Sequence, residues 1–176
     1  MYHTNNNMIT IKSAKCALIL CVLVPLFSAA PQPKPFKLTL TPACDGTSDD
    51  TKALQAALDH GHLVIPSNRT CLSQPLTLRS HSILVLNPGG VLKAGRKWDD
   101  GTPFLYGQNV TNVTILGRSG GGGGTIDGSG AQWWTGSNKT PNRPKMLQIE
   151  GGKDILLDGF SLLNPVLVSQ AYFCLA

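Results

Sequence analysis

Carboxylates are the natural place to look for chemistry in this chain, because only 14% of its residues are charged and ten of them are acids. Two adjacent pairs occur, Asp49-Asp50 and Asp99-Asp100, while Asp127, Asp154 and Asp158 stand singly. Two carboxyl groups about 6.5 to 9.5 Å apart can cleave a glycosidic bond with inversion, one protonating the leaving oxygen and the other activating water. The first pair, however, stands at the start of a helical pattern and the second in the turn RKWDDGTP, so both read as solvated. The single acids end short apolar runs, where turn hydrogen bonds explain them as well as chemistry would. Gly117-Arg118-Ser119-Gly120-Gly121 has the letters of a nucleophile elbow, but glycine follows it instead of a helix. His3, His60, His62 and His81 all precede it. The glycine run lacks the Lys-Ser/Thr ending of a phosphate loop. Asp45, Asp49 and Asp50 lack the alternation of a calcium loop, and the cysteines lack C-x-x-C spacing. The residues therefore point to no catalytic set, no metal site and no cofactor.

The compartment is easier to read. Lys12 and Lys15 precede the apolar run CALILCVLVPLF, and Ser28-Ala29-Ala30 follows it. That is the pattern of a secretory signal over residues 1–30, too short for a membrane span of about 20 residues; a signal anchor is the alternative. Removing it leaves 13 basic residues against ten acids. A charge of that size suits an extracellular polyanion and gives no basic stripe for nucleic acid. Cys44 and Cys71 can then close a 28-residue loop by a disulfide, leaving Cys174 odd. Four sequons, at Asn68, Asn109, Asn112 and Asn138, offer glycan sites on surface turns, with Asn109 and Asn112 too close for both to be used.

The elements that would position any site begin after a proline-rich linker, residues 31–43. DGTSDDTKALQAALDHG predicts an amphipathic helix of about three turns, with Ser48 or Asp49 as N-cap, a face of Ala53, Leu54, Ala57 and Leu58, and a stop at Gly61. Short apolar runs follow at 63–66, 82–86, 91–94, 112–116, 125–127, 146–150, 154–159 and 160–164. Without helices between them they form either antiparallel meanders, as in a β-sandwich, or a β-solenoid. The likeness of NVTILG, ending at Gly117, to DILLDG, ending at Gly159, favours the solenoid. Their offset of 42 residues predicts two coils of about 20 to 25. The helix, coming first, would cap the open edge. Trp133 and Trp134, after the glycine run, are expected to pack near the next coil.

Four segments in order, DGTSDDTKALQAALD, GHLVIPSNRTCLSQPLTLRSHSILVL, GGTIDGSGAQWW and NRPKMLQIEGGKDILLDGFSLLNP, resemble the N-terminal part of the polygalacturonase-like pectinases, glycoside hydrolase family 28. The resemblance covers about Cys44 to Pro165. It implies a secreted all-β protein, a right-handed parallel β-helix with an N-terminal capping helix. It implies hydrolysis of the α-1,4-galacturonosyl bonds of pectin with inversion and without cofactor, by a monomer in the cell-wall region. The family's acids lie in an Asn-Thr-Asp and then an Asp-Asp segment, followed by His-Gly and Arg-x-Lys. That ordered set is absent here, so no catalytic residue is carried over, and residues 44–176 read as the first coils of a longer helix. A non-catalytic pectin-binding protein and a calcium-dependent pectate lyase are the alternatives. An isolated chain ending bare after FSLLN is expected to be marginally stable.

Overall fold

A computed structural model describes residues 41–96, 98, 101–118, 123–133, 143–166 and 173–175. The chain divides into two units, Met1–Phe36 and Lys37–Ala176, and all described residues lie in the second. The signal segment, Asp99, Asp100, Ser119, Trp134 and Asn138 lie outside the described residues.

Each turn of the chain lays down up to three short strands, and every strand pairing is parallel. One sheet stacks β1 (Asp45–Asp49), β3 (Thr70–Ser73), β6 (Val91–Ala94), β9 (Thr125–Asp127) and β11 (Ser161–Leu163). On a second flank β2 (His62–Ile65), β5 (Ile83–Leu86), β8 (Thr111–Gly117) and the later half of β10 (Leu147–Asp158) stack. The third flank holds β4 (Leu76–Thr77), β7 (Leu105–Gln108), the earlier half of β10 and β12 (Phe173–Leu175). This is a right-handed parallel β-helix.

Parallel strands ordinarily need long crossovers. Here single residues in the left-handed region turn the chain instead: His81, Asn112 and Asp154 have φ of 65°, 56° and 55° and occupy equivalent corners of successive coils. The Asn112 amide lies 3.2 Å from His81 Nδ1, tying two corners together. Asn and Asp tolerate this backbone because their short polar side chains bond locally. Gly117 and Gly159 meet so closely that a methyl group on Gly117 would overlap the Gly159 carbonyl.

Alternation along each strand fills the interior. Leu63 and Ile65, Leu84 and Leu86, Val113 and Ile115 point inward from the second flank; Cys71, Leu92 and Ile126 from the first; Leu76, Leu105, Leu147 and Ile149 from the third. Ile155, Leu157, Phe160 and Leu162 of the last coil pack against this core but are only partly buried.

At the other end α1 (Thr51–Asp59) lays Ala53, Leu54, Ala57 and Leu58 on β2, β3 and β4, the face expected from the sequence. The Gln55 side-chain amide donates to the Thr77 carbonyl at 3.0 Å and accepts from the Thr77 N–H at 2.8 Å, so it serves as the missing neighbour of edge strand β4.

Several expectations need correction. The helix has nine residues and its N-cap is Asp50, not Ser48 or Asp49, because DGTSD is drawn into the sheet as β1. Asp50 is not solvated: it is 5% exposed and accepts the N–H groups of Ala43 at 2.6 Å and Cys44 at 3.0 Å. The 42-residue offset is one coil rather than two, since Val113 pairs directly with Ile155 and the extra length leaves as a loop after β9. The segments 146–150 and 154–159 are one strand, β10, bent at Gly151 and Asp154. Strands β1, β3, β4, β7 and β12 have no counterpart among the expected runs.

A candidate ligand groove on one flank

Two long excursions leave the first flank at its C-terminal strand ends, one after β6 and one after β9, where the chain makes a 3-10 turn (Gly130–Trp133). The second is anchored from below. Trp133 is 1% exposed and packs edge-on against Trp98 at 4.9 Å, and Trp98 stacks on Phe104 at 5.8 Å. Trp133 thus joins the loop after β9 to the loop after β6 of the previous coil, not to the next coil as the sequence suggested. Its indole Nε1 is buried without a hydrogen-bond partner among the described residues, whereas Trp98 Nε1 donates to the Thr102 carbonyl at 2.7 Å. Polar ties finish the wall: Ser129 Oγ donates to the Ala94 carbonyl and Gln132 Nε2 to the Gly95 carbonyl, both at 2.8 Å.

Between this wall and the sheet runs an open groove of about 640 Å³. Its floor is the outward row Asp49, Leu72, Lys93 and Asp127, which register places side by side on four successive strands. Gln74, Arg96, Gln132 and Asn164 complete its rim.

The acids on this face are structurally engaged. Asp127 Oδ1 accepts from the Ser129 N–H at 2.8 Å and from Asn164 Nδ2 at 3.0 Å. Asp49 accepts from the Thr51 hydroxyl and N–H, which hold its carboxyl below the usual range despite partial burial; the charges of Arg96 and Lys52 add to this. Asp45 is lowered further by the N–H groups of Ser48 and Thr47. Lys93 and Arg96 make no hydrogen bond or ion pair among the described residues, although the charge of Arg96 is felt at Asp49; Arg79 pairs with Asp59 at 3.0 Å on another part of the surface. The groove presents to a ligand a half-buried ammonium and an exposed guanidinium at the end of β6, together with the carboxylates of Asp49 and Asp127.

The other sequence candidates lie apart from it. Cys44 and Cys71 are joined by a disulfide beside the Asp50 carboxylate, with all three donor atoms within 4.8 Å. With both sulfurs bonded and the carboxylate holding two N–H groups, this cluster secures β1 to β3. Asn68, Asn109 and Asn112 are exposed, each with φ near +50° to +56°. Asp154 is a corner residue and Asp158 a strand end. Lys93 and Arg96 escaped the sequence reading: a lysine inside VLKA looks like any outward strand residue, and only register aligns it with Asp127.

The architecture defines a solenoid with an open groove along one flank. Residues 57–171 match the family described as glycosyl hydrolases family 28, and the chain belongs to that family. It is 31% identical over 137 residues to endo-xylogalacturonan hydrolase A of Aspergillus tubingensis, covering 72% of this chain and 33% of that protein. A probable endo-xylogalacturonan hydrolase A of Emericella nidulans is 33% identical over 136 residues, covering 70% of this chain and 34% of that protein. The chain spans about a third of the length of these curated relatives. Among solved structures, the polygalacturonase from Erwinia carotovora subsp. carotovora superposes with a TM-score of 0.57 at 25% identity, over 68% of this chain and 40% of that one. The hyperthermoactive exopolygalacturonase from Thermotoga maritima gives 0.59 at 17% identity, over 75% and 42%, a likeness of fold.

Proposed function

We propose that this chain forms the N-terminal coils of a secreted pectin-degrading hydrolase and supplies part of its grip on an acidic polysaccharide. The bond cleaved is the α-1,4-galacturonosyl linkage, with inversion, by acids outside the coils described. The observation that carries the reading is the groove: an open channel, on a chain of family 28, that sets Lys93 and Arg96 beside two carboxylates already held by their own turns. An uronate polymer is long, anionic and rich in hydroxyls, and cationic donors in a concave site suit it.

Cleavage by inversion needs one carboxylic acid and one carboxylate free to exchange protons. Asp127 and Asp49 instead hold the backbone of their own turns. This favours gripping over bond breaking for these coils, and it also supports a second reading, a pectin-binding protein without catalysis. Secretion, removal of residues 1–30, and glycans at Asn68, at Asn138 and at one of Asn109 and Asn112 belong to the same proposal. So do a monomeric state and the absence of nucleic-acid or membrane partners once the signal is removed.

The test is titration of the secreted chain with polygalacturonate, scoring binding and release of reducing ends together. Binding without release is expected. Release by this chain alone would move catalysis into it, and no binding would overturn the proposal. An endoglycosidase that leaves its mobility unchanged would contradict the glycan assignment.

A further inference from the structure

We propose that, of the two neighbouring acceptors Asn109 and Asn112, Asn109 carries the glycan, an inference that deepens the glycosylation reading above and rests on it. The tripeptides are identical, Asn109-Val110-Thr111 and Asn112-Val113-Thr114, so local sequence does not choose between them. Asn68, Asn109 and Asn112 are all exposed and all left-handed, with φ of 55°, 51° and 56°. What separates them is the neighbouring coil. Asn68 and Asn109 share one kind of niche although they turn different corners. The N–H of Asn68 donates to the Pro88 carbonyl at 3.2 Å and that of Asn109 to the Glu150 carbonyl at 2.7 Å. Each acceptor precedes a left-handed glycine of the next coil, Gly89 with φ of 69° and Gly151 with φ of 61°. The amide oxygen lies against that glycine: a methyl group on Gly89 would overlap Asn68 Oδ1, and one on Gly151 would overlap Asn109 Oδ1. With the oxygen arm turned to the scaffold, the nitrogen arm of each amide is left on the outer side.

Asn112 is held the other way round. Its Nδ2 lies 3.2 Å from His81 Nδ1 of the preceding coil, and register places Asp154 at the same corner of the following one. Residues with long or charged side chains therefore flank Asn112 on both sides at the strand spacing of about 4.8 Å. Asn109 has a glycine there instead. Glycan transfer joins Nδ2 to the anomeric carbon of a lipid-pyrophosphate-linked oligosaccharide. The new C–N bond replaces the C–O bond to pyrophosphate, which departs with the electron pair, and the amide gives up one proton. Transfer precedes folding, so the fold does not select the acceptor directly; it decides which glycosylated chain can pack and be secreted. A sugar on Asn109 Nδ2 leaves the seat of Oδ1 on Gly151 intact. One on Asn112 has to disturb the contact with His81 that ties two corners together.

The experiment is enzymatic deglycosylation, in heavy-oxygen water, of the chain secreted by a eukaryotic host. A peptide N-glycosidase turns each glycan-bearing asparagine into a heavy-oxygen aspartate, which tandem mass spectrometry locates. Label is expected on Asn68 and Asn109 and absent from Asn112. Thr111→Val should remove one glycan from the secreted chain and Thr114→Val none, read as electrophoretic mobility. The wild-type labelling decides the matter even where a variant fails to fold. Label on Asn112, alone or together with Asn109, or on neither of them, overturns the inference while label on Asn68 or Asn138 keeps the glycosylation reading. An unlabelled Asn68 beside a labelled Asn109 would overturn the shared niche as the cause. No label at any sequon overturns both the inference and the reading beneath it.

Discussion

The first and second flanks are built on the same plan and present opposite surfaces. Both stack parallel strands, and both send apolar side chains inward at alternate positions. Outward, the first flank shows Asp49, Leu72, Lys93 and Asp127 under a wall of long loops. The second shows His62, Ile83, Thr114 and Leu156 in one row and Val64, Val85 and Leu116 in the next, with a short connection from β8 to β9. The inward half of the alternation specifies the coil and is interchangeable between flanks. The ligand chemistry proposed above resides in the outward half of one flank and in the loops that leave its strand ends, as in solenoids generally, where a repeated scaffold carries its site on one face.

Truncating the interior should erase the difference between flanks. Leu92→Ala beneath the first and Leu84→Ala beneath the second should each cost about 2–5 kcal/mol, read by denaturant or thermal unfolding. A large inequality between them would mean that the flanks are not equivalent scaffolds. Asp50→Ala comes next. It strands the N–H groups of Ala43 and Cys44 near the capped end, at about 1–3 kcal/mol, and should weaken protection of β1 more than of β8.

Acid should act on the first flank through Asp45 and Asp49. Their folded carboxyls titrate below their unfolded values, so their stabilisation is complete above about pH 4 and is lost as pH falls through the folded values. Melting temperature should be level from pH 7 to pH 5 in this respect and fall below pH 4, less steeply in Asp45→Asn with Asp49→Asn. An acid limb of unchanged slope in that double variant would contradict it. The smallest effect is expected on the outer face of the second flank. Ile83→Lys and Val64→Lys, each 39% exposed in the wild type, should change stability by less than about 0.5 kcal/mol and leave polygalacturonate binding unaltered.

Much of this scaffold was legible in the sequence. The helix face of Ala53, Leu54, Ala57 and Leu58 and the runs VLKA and TID fall where period and alternation put them. What was not legible was decided by partners distant in the chain. DGTSD reads as the lead into the helix and becomes β1 because β3 offers it a ladder; the two-residue β4 exists only through β7 and Gln55. The coil length misled for a related reason. A loop of any size can leave a coil without disturbing its register, so the β8–β10 spacing doubled while the strands remained adjacent. The groove was invisible for the same cause, since residues spread from Asp49 to Asn164 meet only through stacking.

Amide hydrogen exchange of the secreted chain, with and without saturating oligogalacturonate, tests directly whether one flank alone carries the ligand. Added protection should concentrate at the ends of β3, β6 and β9 and in the 3-10 turn at Gly130–Trp133, with β2, β5 and β8 unchanged. Protection centred on β2, β5 and β8, or spread evenly over both flanks, would contradict the account.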